Sequence, residues 1–275
     1  CIFCRTVDWK NKEKIDNLRP YRPRLTESEY DLIKSIRSND IRNILVVGDL
    51  HCPFDLDQYL NHCVEQYYKW NCNKVIFIGD IIDSHGFSYH EPDPDGLSAG
   101  NELKYAIKRV ARWYNAFNND TVPNGIDVCV GNHDRMASRK SMTGGIPSAW
   151  IKGYNEVLNT PDWNWVESVI YDDVLYEHGE GGQAFTKAKN NMMSSVCGHT
   201  HTEGYVRWLV GKKFRVFACQ TGVGINHKSY AAAYAKNFKR QVIGCAVVLD
   251  YGKLPISLLM ELWVKVIIYI VRRSS

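Results

Sequence analysis

The sequence is short of the marks that define several protein classes. Charge of one sign is missing: 34 Lys and Arg stand against 30 Asp and Glu in 275 residues, a net of +4. A polybasic surface for DNA or anionic lipid is therefore not indicated by charge. No internal repeat and no low-complexity tract is present. Residues 1–20 carry Arg5, Asp8, Lys10, Lys12, Glu13, Lys14 and Asp16 and lack the apolar core of a secretory signal. A spanning helix needs about 20 apolar residues with few charges. The most apolar stretch, 254–271, contains Pro255, Glu261 and Lys265 and reads as a terminal strand with a short extension. Cysteine is too sparse for a disulfide scaffold, with nine in all, an odd number. Cys129, Cys197, Cys219 and Cys245 lie in or beside apolar runs, where a free thiol packs as a small hydrophobe. That usage fits a reducing compartment, so a cytoplasmic location is expected. Cys1 and Cys4 form a single CxxC, a weak zinc signal without a second pair.

A hydrophobic content of 45% excludes intrinsic disorder. At roughly 150 residues per domain the length allows one or two domains. Residues 26–36 read as a short capped helix, and 56–70 and 101–117 as helices. The second of these has Leu103, Ile107, Val110 and Tyr114 on one face. Ile44-Leu45-Val46-Val47, Val75-Ile76-Phe77-Ile78 and Ile126–Val130 are continuous apolar runs, the pattern of strands buried on both faces. Further strands are expected at 166–171, 173–177, 194–197, 205–210, 213–219 and 242–250, with 135–165 irregular. The early strand–helix–strand order predicts parallel pairing. The closely spaced later strands predict antiparallel pairing.

What stands out is the recurrence of metal-type residues just after strands. Gly48-Asp49-Leu50-His51 follows the first, Gly79-Asp80 and then Asp83 the second, and Gly131-Asn132-His133-Asp134 the third. His178 and Gly198-His199-Thr200-His201 follow two later ones. Open α/β sheets bind ligands at the carboxyl ends of their strands, so residues remote in sequence converge. Carboxylate, imidazole and amide oxygen suit manganese, iron, zinc, nickel or cobalt. Two cations about 3.5–4 Å apart are the usual arrangement for displacement at phosphorus and need a bridging carboxylate. Any one motif alone is weak; five in order are not.

At these residues, over about 42–250, the chain resembles the calcineurin-like metallophosphoesterase superfamily. The resemblance implies an α/β fold: a four-layer α/β/β/α sandwich with two mixed sheets. The expected organisation is an extension at 1–41, a catalytic domain at 42–250, and a strand and tail at 251–275. It also implies two divalent transition-metal ions, manganese first among the alternatives. Asp49, His51 and His201 would hold one, Asn132, His178 and His199 the other, and Asp80 would bridge. His133 would stabilise the transition state or protonate the leaving oxygen, with Asp83 as the orienting carboxylate. The implied reaction is hydrolysis of a phosphomonoester or phosphodiester by in-line attack of metal-bound hydroxide. A nuclease of the same superfamily is the alternative, and a scaffold without activity a third. The partner expected is a phosphate ester, with nucleotides and nucleic acids included and no membrane. The segment Asp80-Ile81-Ile82-Asp83-Ser84-His85 lacks the arginine that protein phosphatases of this type carry. Arg135 and Arg139 are candidate phosphate grips, and Trp150 with Tyr154 a candidate substrate wall. His62, His90 and His227 read as structural, and His85 as a solvated loop residue.

Overall fold

The computed structural model describes residues 42–88, 95–234 and 238–260. The expected helix near 26–36, the Cys1–Cys4 pair, His90 and the segment beyond 260 lie outside the described residues. The first apolar run forms β1 (Ile44–Val47), followed by α1 (Asp57–Lys69), β2 (Lys74–Phe77), α2 (Ala99–Ala116) and β3 (Ile126–Cys129). The stretch read as irregular folds into α3 (Met136–Thr143), a 3-10 turn (Ser148–Trp150), α4 (Tyr154–Leu158) and β4 (Trp163–Val166). Next come β5 (Ser168–Tyr171), β6 (Val174–Glu177), α5 (Ala184–Asn191), β7 (Ser194–Cys197), β8 (Tyr205–Val210) and β9 (Arg215–Gln220). The described chain ends with α6 (His227–Ala233), β10 (Gly244–Leu249) and β11 (Leu254–Leu259).

The strands form two mixed sheets. One has the order β11-β10-β1-β2-β3-β4, the other β5-β6-β7-β9-β8. In the first, β1 to β4 run parallel, while β10 is antiparallel to β1 and β11 to β10. In the second, β6, β7 and β9 run parallel, and β5 and β8 are antiparallel edges. The expected antiparallel late region is thus half parallel. The reason is α5, whose sequence AFTKAKNN has too few apolar residues to signal the crossover helix that a parallel β6–β7 pair requires. The run 166–171 also divides: β4 closes the first sheet and β5 opens the second, with a break at Glu167.

Alternation along the strands builds the layers, because successive side chains leave a strand on opposite faces. Leu45, Val47, Val75 and Phe77 face outward to α1 and α2, where they meet Tyr59, Cys63, Val110 and Trp113. Ile44, Val46 and Ile76 face inward and pack against Val174, Tyr176, Val196, Phe217 and Cys219 of the second sheet. On that sheet's far side, Cys197 and Ala218 pack against Ala184 and Ala188 of α5. The layers are therefore helix, sheet, sheet, helix. Phe77 meets Trp163 at 4.5 Å and Trp113 at 5.9 Å, and truncating it to alanine costs about 3–5 kcal/mol. The buried face of α2 is Glu102, Ala106, Val110 and Trp113, rotated from the expected one; Leu103, Ile107 and Tyr114 flank it, partly buried.

Candidate metal centre

The carboxyl ends of β1, β2, β3, β6 and β7 meet at one edge of the sandwich. Each strand runs out into a tight turn. The turns are tied together by main-chain bonds: Leu50 and His51 N–H donate to Asp80 O at 3.1 and 2.8 Å, and Gly198 N–H donates to His178 O at 3.0 Å. His51, Asp80 and His199 adopt left-handed backbone, with φ of 49°, 49° and 65°. Side chains other than glycine disfavour that region by up to roughly 1–2 kcal/mol, with Asp and His among those that enter it most readily. Two glycines make room for the carboxylates. A Cβ on Gly131 would collide with Asp80 Oδ1, and one on Gly198 with Asp49 Oδ1.

Two sets of donor atoms result, each drawn together within 4.8 Å: Asp49, His51 and His201; and Asp80, His178 and His199. A third set, His51, Asp80 and His133, links them. Asp80 Oδ2 lies between the two, 3.5 Å from His51 Nε2 and 3.2 Å from His178 Nε2. Its Oδ1 accepts the His133 N–H at 2.8 Å. In the first set Asp49 Oδ2 is 3.5 Å from His201 Nε2 and accepts the His199 N–H at 2.8 Å. In the second, His178 Nδ1 donates to Ile78 O at 3.0 Å, which leaves Nε2 as the lone-pair nitrogen. That nitrogen faces Asn132 Oδ1 at 3.0 Å and His199 Nδ1 at 3.1 Å. A proton or a metal cation can sit among these three atoms.

The electrostatics agree. Burial alone would lower the His178 pKa, but Asp80 beside it outweighs burial and pushes it up to about 10. Asp80 is driven down by its three histidine neighbours in spite of burial. Burial and the neighbouring His133 hold His51 well below the usual histidine range, which leaves it neutral with a lone pair to give. Asp49 Oδ1 and His51 Nε2 are buried and have no hydrogen-bond partner. Buried polar atoms are ordinarily satisfied. Oxygen and imidazole donors left open in this way fit divalent transition-metal cations.

All nine predicted site residues lie here, with one change of emphasis. Asp83 is fully buried, and its Oδ1 receives His51 Nδ1 at 2.6 Å. His133 Nδ1 instead bonds the Asp83 main-chain oxygen at 2.5 Å, with the carboxylate 3.4 Å away. The carboxylate therefore positions His51 first. Burial lifts the Asp83 pKa to about 6.

The other expectations divide, with His62 and His227 structural as read and His85 not solvated. His85 is buried rather than solvated, with its ring 4.3 Å from that of Tyr234. Arg135 is engaged by Glu167 and Glu180 across a cleft of about 330 Å³ that also touches His178. Trp150 is 81% exposed, while Tyr154 stacks on Trp165 at 4.5 Å. They belong to different helical turns, so no shared wall forms. His62 and His227 make ordinary bonds to Leu258 O and Gln241.

Further residues support the turns from outside the donor set. Asp134 accepts N–H bonds from Ile81, Ile82 and Gly131 at 3.0, 3.2 and 2.9 Å, fixing the turn that bears Asp80. Glu102 accepts those of His85 and Gly86 at 2.7 and 2.6 Å. Gln220 joins Ala184 N–H to Gly198 O. Asp134 is visible in the sequence as the last residue of Gly-Asn-His-Asp; Glu102 and Gln220 give no signal.

A two-sheet sandwich with carboxylate, amide and imidazole donors gathered where its parallel strands end presents a candidate metal-binding site. The chain belongs to the calcineurin-like phosphoesterases: the model of that family matches residues 42–213. The family generally uses a dinuclear divalent metal centre. Similar solved structures include an archaeal phosphodiesterase, 15% identical, covering 79% of this chain and 99% of its own, with a TM-score of 0.42. Another is the Pseudomonas putida nuclease MPE, 13% identical over 78% and 87% at 0.38. A third is Vacuolar Protein Sorting 29 from Cryptosporidium parvum, 14% identical over 80% and 97% at 0.37. No curated protein matches the chain. Among the described residues no helix is long and apolar enough to cross a membrane.

Proposed function

We propose that the chain is a dinuclear metal-dependent phosphoesterase that cleaves a phosphomonoester or phosphodiester. One observation carries this: buried Asp49 Oδ1 and His51 Nε2 stay unsatisfied beside a convergence of carboxylate, amide and imidazole donors. In this reading Asp49, His51 and His201 hold one cation, Asn132, His178 and His199 the other, and Asp80 serves both. Cations bound there would supply Lewis acidity toward phosphoryl oxygen and lower the pKa of bound water. The protein's own residues do the rest. His133 has Nδ1 engaged by Asp83 O, and its side chain is 14% exposed. Its Nε2 is thus the nitrogen available to hand a proton to the departing oxygen. Asp83 fixes the His51 ring, and Asp134 fixes the turn of Asp80. The cleft beside His178 gives the substrate its approach, with Arg135 at its rim already countered by two glutamates. Manganese is the cation proposed first, with iron, zinc, nickel and cobalt also suited to this donor set.

The test is hydrolysis of p-nitrophenyl phosphate, bis-p-nitrophenyl phosphate and single-stranded DNA by manganese-loaded and chelator-treated protein. Metal-dependent turnover of an ester, lost in Asp80→Asn, is the expected result. Cleavage of DNA alone would assign a nuclease, and no turnover of any ester with metal bound would contradict the proposal.

A further inference from the structure

Behind the Asp49–His51–His201 set lies a structure that no motif announces. Tyr230 on α6 and Tyr234, one turn further on, have rings 4.9 Å apart. The Tyr230 ring abuts His51 edge-on at 5.3 Å and His201 at 6.0 Å. Tyr234, 5% exposed, donates its hydroxyl to Asp83 Oδ2 at 2.9 Å. Asp83 Oδ1 in turn receives His51 Nδ1. The two oxygens of one buried carboxylate are thus held from opposite sides.

We propose that Tyr234 is a positioning residue of the metal centre, acting through Asp83 to fix the ring and tautomer of His51. The inference rests on the metal-site reading above. A carboxylate pinned at one oxygen cannot swing about its terminal torsion, so the other stays on His51 Nδ1. That nitrogen keeps the proton, and Nε2 keeps its lone pair directed at the cation position. Partners of this kind typically contribute 10–100-fold to metal affinity. Tyr234→Phe isolates the effect, because the ring and its packing against His85 and Tyr230 remain while the hydroxyl is lost.

The experiment is titration of the metal-free full chain with Mn2+, followed by the electron paramagnetic resonance signal of the free ion. It uses wild type, Tyr234→Phe, Asp83→Ala and the double variant. Tyr234→Phe is expected to weaken one binding step about tenfold. In the Asp83→Ala background the same change is expected to do nothing further, since the contact through which it acts is gone. Should Asp83→Ala lack the native near-ultraviolet circular dichroism, Asp83→Ser takes its part in the cycle. An affinity of Tyr234→Phe within twofold of wild type overturns the proposal. So does a tenfold loss that persists without the Asp83 carboxylate, which would mean a general packing effect. Wild type that binds no Mn2+ overturns the metal reading with it, whereas wild type that binds while Tyr234→Phe binds equally well overturns only the role of Tyr234.

Discussion

Charge is buried at both ends of the first sheet, and the two ends treat it differently. Near the amino ends of β2 and β3, Lys74 and Asp127 form an ion pair at 2.8 Å. Everything around it is satisfied: Asn164 Nδ2 and Tyr171 Oη donate to Asp127 at 2.7 and 2.8 Å, and Lys74 Nζ reaches Asn124 O at 3.0 Å. At the carboxyl ends, Asp49 and His51 are at least as buried, yet Asp49 Oδ1 and His51 Nε2 have no hydrogen-bond partner. The first arrangement is closed and complete within the protein. The second is held rigidly by its surroundings and left open at its centre. Burial and charge are alike at the two ends; the charged pair at one end has its hydrogen bonds complete, and the donor cluster at the other does not.

The sharpest way to break this comparison is to alter one carboxylate at each end. Asp80→Asn is expected to lower ester hydrolysis by about 10³-fold or more, because several kcal/mol of transition-state stabilisation depend on the metals. Urea unfolding of the metal-free form should show no comparable loss of stability. Activity near wild type would remove Asp80 from its assigned role. Asp127→Ala should behave the opposite way. Leaving Lys74 buried without its partner costs about 3–5 kcal/mol, read as a lower denaturation midpoint, with metal content unchanged in the protein that remains folded.

Cation addition gives a smaller effect of the same kind. A ligand that binds only the folded state at 100 times its dissociation constant stabilises by about 2.7 kcal/mol. Mn2+ should therefore raise the melting temperature of wild type, and of Lys74→Met by a similar increment, but that of Asp80→Asn by less. Equal shifts in all three would point to binding elsewhere. Least of all is expected from Trp150→Ser. This side chain is 81% exposed, so stability should stay within about 0.5 kcal/mol and turnover should not move.

Much of the site is legible in the sequence because its geometry is local. The donors follow apolar runs, and Asp49, Asp80, Asn132, His178 and His199 are each flanked by a glycine; Gly131 and Gly198 are where a side chain would strike Asp80 and Asp49. What the sequence hides is partner choice across space. Asp83 contacts His51 more closely than His133, though neither spacing nor residue type separates the two. Glu102 reads as a solvent-facing charge in an amphipathic helix, yet it is buried because two main-chain N–H groups of the His85 turn require an acceptor. Tyr230 and Tyr234 look like any aromatic pair at helical spacing. The left-handed turns at His51, Asp80 and His199 also go unseen: Asp and His enter that conformation more often than most residues, but most Asp and His do not adopt it, so residue type alone does not place it. In the fold, the continuous strands β1, β2 and β3 are plain. The split at Glu167 and the weak crossover helix α5 are decided by tertiary packing.

If the open end of the sheet is a two-cation site, isothermal titration of the metal-free full chain with Mn2+ shows it without reference to any substrate. Two equivalents should bind to wild type, and at least one should be lost in Asp80→Asn. Absence of binding to wild type, or a stoichiometry indifferent to Asp80, would contradict a two-cation site.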